Sequence, residues 1–174
     1  MKVYTFKELL SPEMVKHDAA WLVQKGHAKT EKNATQALYT ESAVEKFIIE
    51  NPDLFGTLMV GPREEHPWEH DIKTYHNNEE RIDVKSFNED DPDKNCFSIG
   101  FSYSKACKAE LPTKYIGTLI SYINETVTVA YWQEANKIKE FVEENFDKYL
   151  SNNMAGYEKD HKYCLVPINE WKKI

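Results

Sequence analysis

Three cysteines in 174 residues, none in a C-x-x-C pair, leave no material for a disulfide framework or a zinc knuckle. Cys96, Cys107 and Cys164 are expected to be reduced and inert or partly buried. No stretch approaches the roughly 18 apolar residues that a membrane-spanning helix needs. The N-terminal MKVYTFKELLSPEM meets Glu8 and Pro12 before a secretory apolar core can build, so a cytoplasmic location is the expectation. Repeats, low-complexity tracts and linkers wide enough to separate a second domain are also lacking, and residues 1–174 read as one domain. Positive charge is in deficit, with 22 Lys+Arg against 29 Asp+Glu and a net charge of −7. Phosphate neutralisation dominates nonspecific adhesion to nucleic acid, so broad adhesion is excluded and any such contact needs a local groove. Lys105, Lys108 and Lys114 are candidates to line one; a solvated lysine-bearing loop is the plain alternative.

What is present is enough for a sizeable core, since 41% of the residues are hydrophobic and aromatics are abundant. Ser11-Pro12-Glu13 starts a helix that closes near Gly26, and a second runs from about Asn33 to Glu50, stopping at Asn51-Pro52. Strands are expected around Asp71, through RIDVKSF, through NCFSIGFSYS, and in TKYIGTLISYIN and TVTVAYW, the last two turning at residues 123–126. NEDDPDKN, after RIDVKSF, is an acidic loop with no apolar anchor. QEANKIKEFVEENFDKYLSNN is an amphipathic helix with Ile138, Phe141, Val142 and Phe146 on one face, and KYCLVPINEW supplies a final strand. This order, α-α-β-β-β-β-β-α-β, specifies α+β or α/β and no more.

The charge-bearing strands carry the chemistry. In WEHDIKTYHNNEERIDVKSF, Ile82 and Val84 alternate with Arg81, Asp83 and Lys85, so an extended chain puts the apolar pair on one face and the charged trio on the other. His76-Asn77-Asn78-Glu79 suits a hairpin turn, and pairing its arms would bring Asp71 close to Asp83. Charges on a half-buried strand lose hydration unless paired or bound to a metal. Two carboxylates there favour a Mg²⁺-like cation with oxygen ligands over zinc, with Lys85 beside it.

Asp71, a twelve-residue separation, then Asp83-Val84-Lys85 on a strand resembles the PD-(D/E)XK nuclease superfamily, although the proline that precedes the family's first aspartate is missing. The resemblance spans about residues 35–90. It implies a restriction-endonuclease-like fold, a central mixed sheet flanked by helices. It further implies a nuclease that hydrolyses phosphodiester bonds, of DNA more than RNA, with Mg²⁺ or Mn²⁺ held by Asp71, Asp83, the Val84 carbonyl and a glutamate from the preceding helix. Glu45 is the choice for that glutamate, with Glu41 one turn earlier as its substitute. Lys85 would orient or deprotonate the attacking water and offset phosphate charge. Tyr75, His76 and Ser86 flank the site, with packing or surface roles favoured for each. The oligomeric state is left open, a homodimer included.

Plainer readings stand beside these. Asp83 and Lys85 also suit an ordinary surface ion pair, Asp71 a turn cap, and Ser42-Ala43-Val44-Glu45 a capping box at a helix start. His66-Pro67-Trp68-Glu69-His70 matches H-x-x-E-H, a zinc-peptidase pattern using His66, Glu69 and His70, which Pro67 weakens because proline fits only the first helical turn. A noncatalytic interaction protein on the same fold is the main competing class.

Overall fold

The computed structural model describes residues 1–60, 72–102, 112–145 and 161–174. Its elements are β1 (Lys2–Thr5), α1 (Phe6–Leu9), α2 (Pro12–Gln24), α3 (Glu31–Glu50), α4 (Pro52–Phe55), β2 (Thr57–Val60), β3 (Ile72–His76), β4 (Asn78–Asn88), β5 (Cys96–Ser102), β6 (Lys114–Ser121), β7 (Thr126–Glu134), α5 (Ala135–Asn145), β8 (His161–Pro167) and β9 (Lys172–Lys173). The class is mixed α+β, with a mixed sheet flanked by helices.

The helix starts follow from capping chemistry. Ser11 Oγ accepts from the Met14 amide at 3.2 Å with Pro12 at the first helical position, and Thr30 Oγ1 accepts from the Asn33 amide at 3.1 Å. Val15, Ala19 and Leu22, spaced by helical turns, are the buried residues of α2, and Ala19 and Leu22 pack with Ala34 of α3. Ser42 lies well inside α3, so Glu45 does not close a capping box at a helix start. The helix ends where Pro52 cannot continue it, and Asn51 Nδ2 donates to the Phe47 carbonyl at 2.8 Å. Gly56 follows α4 with φ +80°, and a Cβ there would collide with the Tyr75 carbonyl oxygen. Only glycine fits both that backbone angle and that approach.

The main sheet has the order β1-β7-β6-β4-β3-β2, with β9 also pairing β7. Strands β2, β3 and β4 form an antiparallel meander, β6 runs parallel to β4, and β7 runs antiparallel to β6. The β3–β4 turn is tighter than expected, because Asn77 takes a left-handed conformation at φ 67° and β4 already begins at Asn78; asparagine tolerates that angle. Strands β1, β2 and β9 are additions to the expected order: they are two to four residues long and form only by pairing with the sheet. Helix α5 is described to Asn145, and Phe146 lies outside the described residues.

Two cores sandwich the sheet. One joins Val44, Phe47 and Ile48 of α3 to Ile72, Ile82, Ile116, Val127 and Val129. The other joins Phe87, Tyr115 and Tyr131 to Phe97 and Ile99 of β5, Ile138 and Val142 of α5, and Cys164 and Val166 of β8. Strands β5 and β8 form a separate antiparallel ribbon. Cys96 and Cys164 are free thiols, and burial pushes that of Cys164 up.

The acidic loop after β4 is anchored, contrary to its apolar-poor sequence, and the anchor is polar. Asp90 Oδ1 accepts from the Ser121 hydroxyl at 2.6 Å, and Oδ2 accepts from the Tyr122 and Ile123 amides at 2.7 and 3.2 Å. The Ser121 hydroxyl above all, then the two amides, hold the Asp90 carboxyl below its ordinary range against the opposing effect of burial. A carboxylate depressed on folding contributes stability above its unfolded pKa and loses it as pH falls through the folded one. Asp90→Ala should therefore lower Tm most at neutral pH. The gap to wild type should close in acid, as thermal melts across pH would record.

Candidate active site

Strand β4 presents two chemically different faces, as its alternation requires. Ile82 and Val84 pack into the α3 core. Ser86, on the same face, accepts a 2.8 Å hydrogen bond from Gln36 Nε2 of α3. Asp83 and Lys85 leave from the other face, and Lys85 Nζ lies 2.6 Å from Asp83 Oδ2 with side-chain exposures of 25% and 22%. The structure thus brings these two candidates together as a half-buried ion pair.

Strand β6 completes their surroundings. The parallel register sets Asp83 beside Tyr115 and Lys85 beside Gly117. Lys85 Nζ lies 5.9 Å from the centroid of the Tyr115 ring, within the range of a cation–π attraction. Tyr115 is buried, and burial, then the Asp83 charge, push its phenol well above the ordinary tyrosine range, with Lys85 opposing. It stays protonated at any physiological pH. Thr118 Oγ1 donates to the Lys85 carbonyl at 3.2 Å. Thr113 Oγ1 accepts from the Arg81 amide at 2.9 Å and donates to the Arg81 carbonyl at 3.1 Å, which fixes the backbone at the start of the charged run. Sequence reasoning missed Tyr115, because its nearness to Asp83 arises from a parallel pairing of segments 32 residues apart.

The other candidates fall into three groups. Asp71 lies outside the described residues, as do His66, Pro67, Glu69 and His70 of the zinc pattern, Cys107, Lys105 and Lys108. Ile72, which follows Asp71 in sequence, pairs with Ile82, which precedes Asp83. Glu41 and Glu45 belong to α3, over the face that carries Val84 and Ser86. Glu41 is 4% exposed and borders a cavity of about 150 Å³ with Gln36, Thr40, Val84 and Ser86; Glu45 is half-buried one turn on. The sheet therefore separates Glu41 from Asp83 and Lys85. Lys114, a candidate groove lysine, also belongs elsewhere: its ammonium contacts both Glu80 carboxylate oxygens at 2.7 Å and lies about 6 Å from the Phe55 and Trp132 rings. It is consumed in an ion pair on the α3 side because Glu80 precedes Ile82 by two residues and shares its face.

As a place for a metal, the Asp83 carboxylate supplies the hard oxygen donor that Mg²⁺ or Mn²⁺ takes. Among the described residues no three His, Cys, Asp or Glu side chains converge as a ready cage. Among the described residues, no helix is long and apolar enough to cross a membrane. Comparison with protein-family models gives no match, and comparison with curated proteins gives none either.

Proposed function

We propose that this chain is a metal-dependent nuclease hydrolysing phosphodiester bonds of nucleic acid, DNA in preference to RNA. The observation that carries the reading is the placement of Asp83 and Lys85, side by side and half-buried on one face of a strand, within a meander whose β3 arm begins one residue after Asp71. A strand interior that holds a carboxylate and an ammonium has a desolvation cost, and a reaction needing both groups at one spot accounts for it.

In this reading Asp83 and Asp71 are the acidic ligands of a Mg²⁺ or Mn²⁺ ion, with the Val84 carbonyl assisting. The ion, when bound, would lower the pKa of the attacking water and offset charge on the leaving oxygen. Glu41 is left out, since it lies across the sheet, and Glu45, on the same helix, is left out with it. Lys85 turns from Asp83 toward the phosphate, where its ammonium orients the water and balances the charge that builds on the phosphoryl oxygens. Tyr115 is a positioning residue: its neutral ring holds the Lys85 ammonium in place without adding charge.

The closed Asp83–Lys85 contact favours a second reading, in which the pair is structural and the protein is a noncatalytic interaction module. Incubation with single-stranded, double-stranded and branched DNA and with RNA, in Mg²⁺, Mn²⁺ or EDTA, separates the two. Cleavage that EDTA abolishes is expected; intact substrates under every condition would leave the noncatalytic reading standing.

A further inference from the structure

Tyr115 is the residue of β6 that pairs with Asp83, and its ring centroid lies 5.9 Å from the Lys85 ammonium. A ring alone would serve that contact. Phenylalanine, as at Phe87 and Phe97 of the same core, would supply it without a polar atom. The hydroxyl therefore calls for a reason of its own, because a phenol buried among rings loses hydration. Where no acceptor replaces the water, the loss costs about 1–3 kcal/mol.

The neighbours of Tyr115 do not supply that acceptor. Gln133, its partner on β7, is engaged at both ends of its amide: Nε2 donates to the Glu170 carbonyl at 2.8 Å, and Oε1 accepts from the Glu134 amide at 3.0 Å. Trp171, whose ring meets that of Tyr115 edge to face with centroids 6.3 Å apart, carries an N–H donor and no acceptor. The Asp83 carboxylate is held by Lys85 at 2.6 Å. Among the described residues the Tyr115 hydroxyl has no hydrogen-bond partner. Tyr115 is 6% exposed, yet the Asp83 and Lys85 charges both act on its phenol, so the hydroxyl stands within electrostatic reach of the pair.

We infer that the Tyr115 hydroxyl is a catalytic donor: it gives a hydrogen bond to a non-bridging oxygen of the phosphodiester that Lys85 faces. The assignment rests on the nuclease reading and deepens it by naming a third group at the scissile phosphate. A neutral donor suits the place. Lys85 and a divalent ion already bring positive charge to one phosphodiester, and a further cation would repel both, whereas a phenol adds a directed hydrogen bond and no charge. The ring holds Lys85 and the hydroxyl holds the substrate, so one side chain has two separable parts.

Tyr115→Phe separates the two parts, since it removes the oxygen and keeps the ring. In single-turnover cleavage of DNA with Mg²⁺, the variant should be slower than wild type by roughly 100-fold, the low end for one lost hydrogen bond to charge that builds in the transition state. Its Mg²⁺ affinity by calorimetry should match wild type, because Asp83 and the ring are intact. Its Tm should be equal or higher, because a buried hydroxyl without a protein partner has been removed. A fall in rate without a fall in stability or metal affinity is the signature that a merely structural tyrosine would not give. Wild-type cleavage matched by Tyr115→Phe overturns the role of the hydroxyl and leaves the nuclease reading in place. A slow variant whose Tm or metal affinity has also dropped overturns it as well, because the loss then belongs to packing or to the metal site. Absence of cleavage by wild type with either Mg²⁺ or Mn²⁺ overturns the nuclease reading and this assignment with it.

Discussion

Asp83→Ala should reduce Mg²⁺-dependent cleavage by about three orders of magnitude or more while leaving the melting temperature close to that of wild type. The size follows from the role: the metal supplies several kcal/mol of charge stabilisation in the transition state, and each ~1.4 kcal/mol is a tenfold rate change. The small stability effect follows from the environment. The desolvation cost of this half-buried pair offsets most of its Coulombic gain, and with about a quarter of each side chain exposed water still reaches the ammonium that the substitution leaves behind. Lys85→Ala should be comparably inactive but should keep metal affinity, because the carboxylate ligand is intact and has lost a competing cation. Metal titration by calorimetry beside single-turnover cleavage distinguishes the two variants. Full cleavage by both would remove the nuclease reading, and strong destabilisation by either would move the pair into the structural category.

Phe97→Ala should be the most damaging single change to the fold. Phe97 is fully buried, with ring centroids 4.5 Å from Trp171, 5.0 Å from Phe87 and 6.0 Å from Tyr131, so it joins the β5–β8 ribbon to the main sheet. Truncating a buried phenylalanine costs about 3–5 kcal/mol, which for a chain of this size lowers Tm by roughly 6–20 °C. Its partner in shape is Gly117 of β6, where an added Cβ would lie 2.6 Å from Phe97 Cζ and 3.1 Å from Tyr131 Cβ. Gly117→Ala should therefore destabilise by overpacking, by about 1–3 kcal/mol. In the Phe97→Ala background the same methyl enters the vacated space. The double variant should accordingly be more stable than the sum of the single effects predicts, and strict additivity in denaturant unfolding would show that the two sites do not share a cavity.

These outcomes test different layers of what could be read in the chain. The alternation Ile82-Asp83-Val84-Lys85 was enough to put the charged pair on one face, because a strand's side-chain period of two is a local property. The capped starts of α2 and α3 and the stop at Pro52 were legible for the same reason. Asp90 shows the limit: its loop has no apolar residue to signal order, and the hydrogen bonds that tie it down come from Ser121 to Ile123, about thirty residues away. The ion pair of Lys114 with Glu80 is hidden from local sequence in the same way, since Glu80 lies 34 residues off and only the parallel β4–β6 pairing brings the two together.

By itself, then, the sequence determined the helices that cap and terminate themselves, the turn-forming residues of the hairpin, and the shared face of Asp83 and Lys85. Each depends on neighbours within a few positions. Tertiary structure alone decided that Glu41 lies across the sheet from Asp83 and that Tyr115 underlies Lys85. Helix placement and strand register are set by burying two apolar cores on opposite sides of one sheet, and no local window of sequence contains that choice.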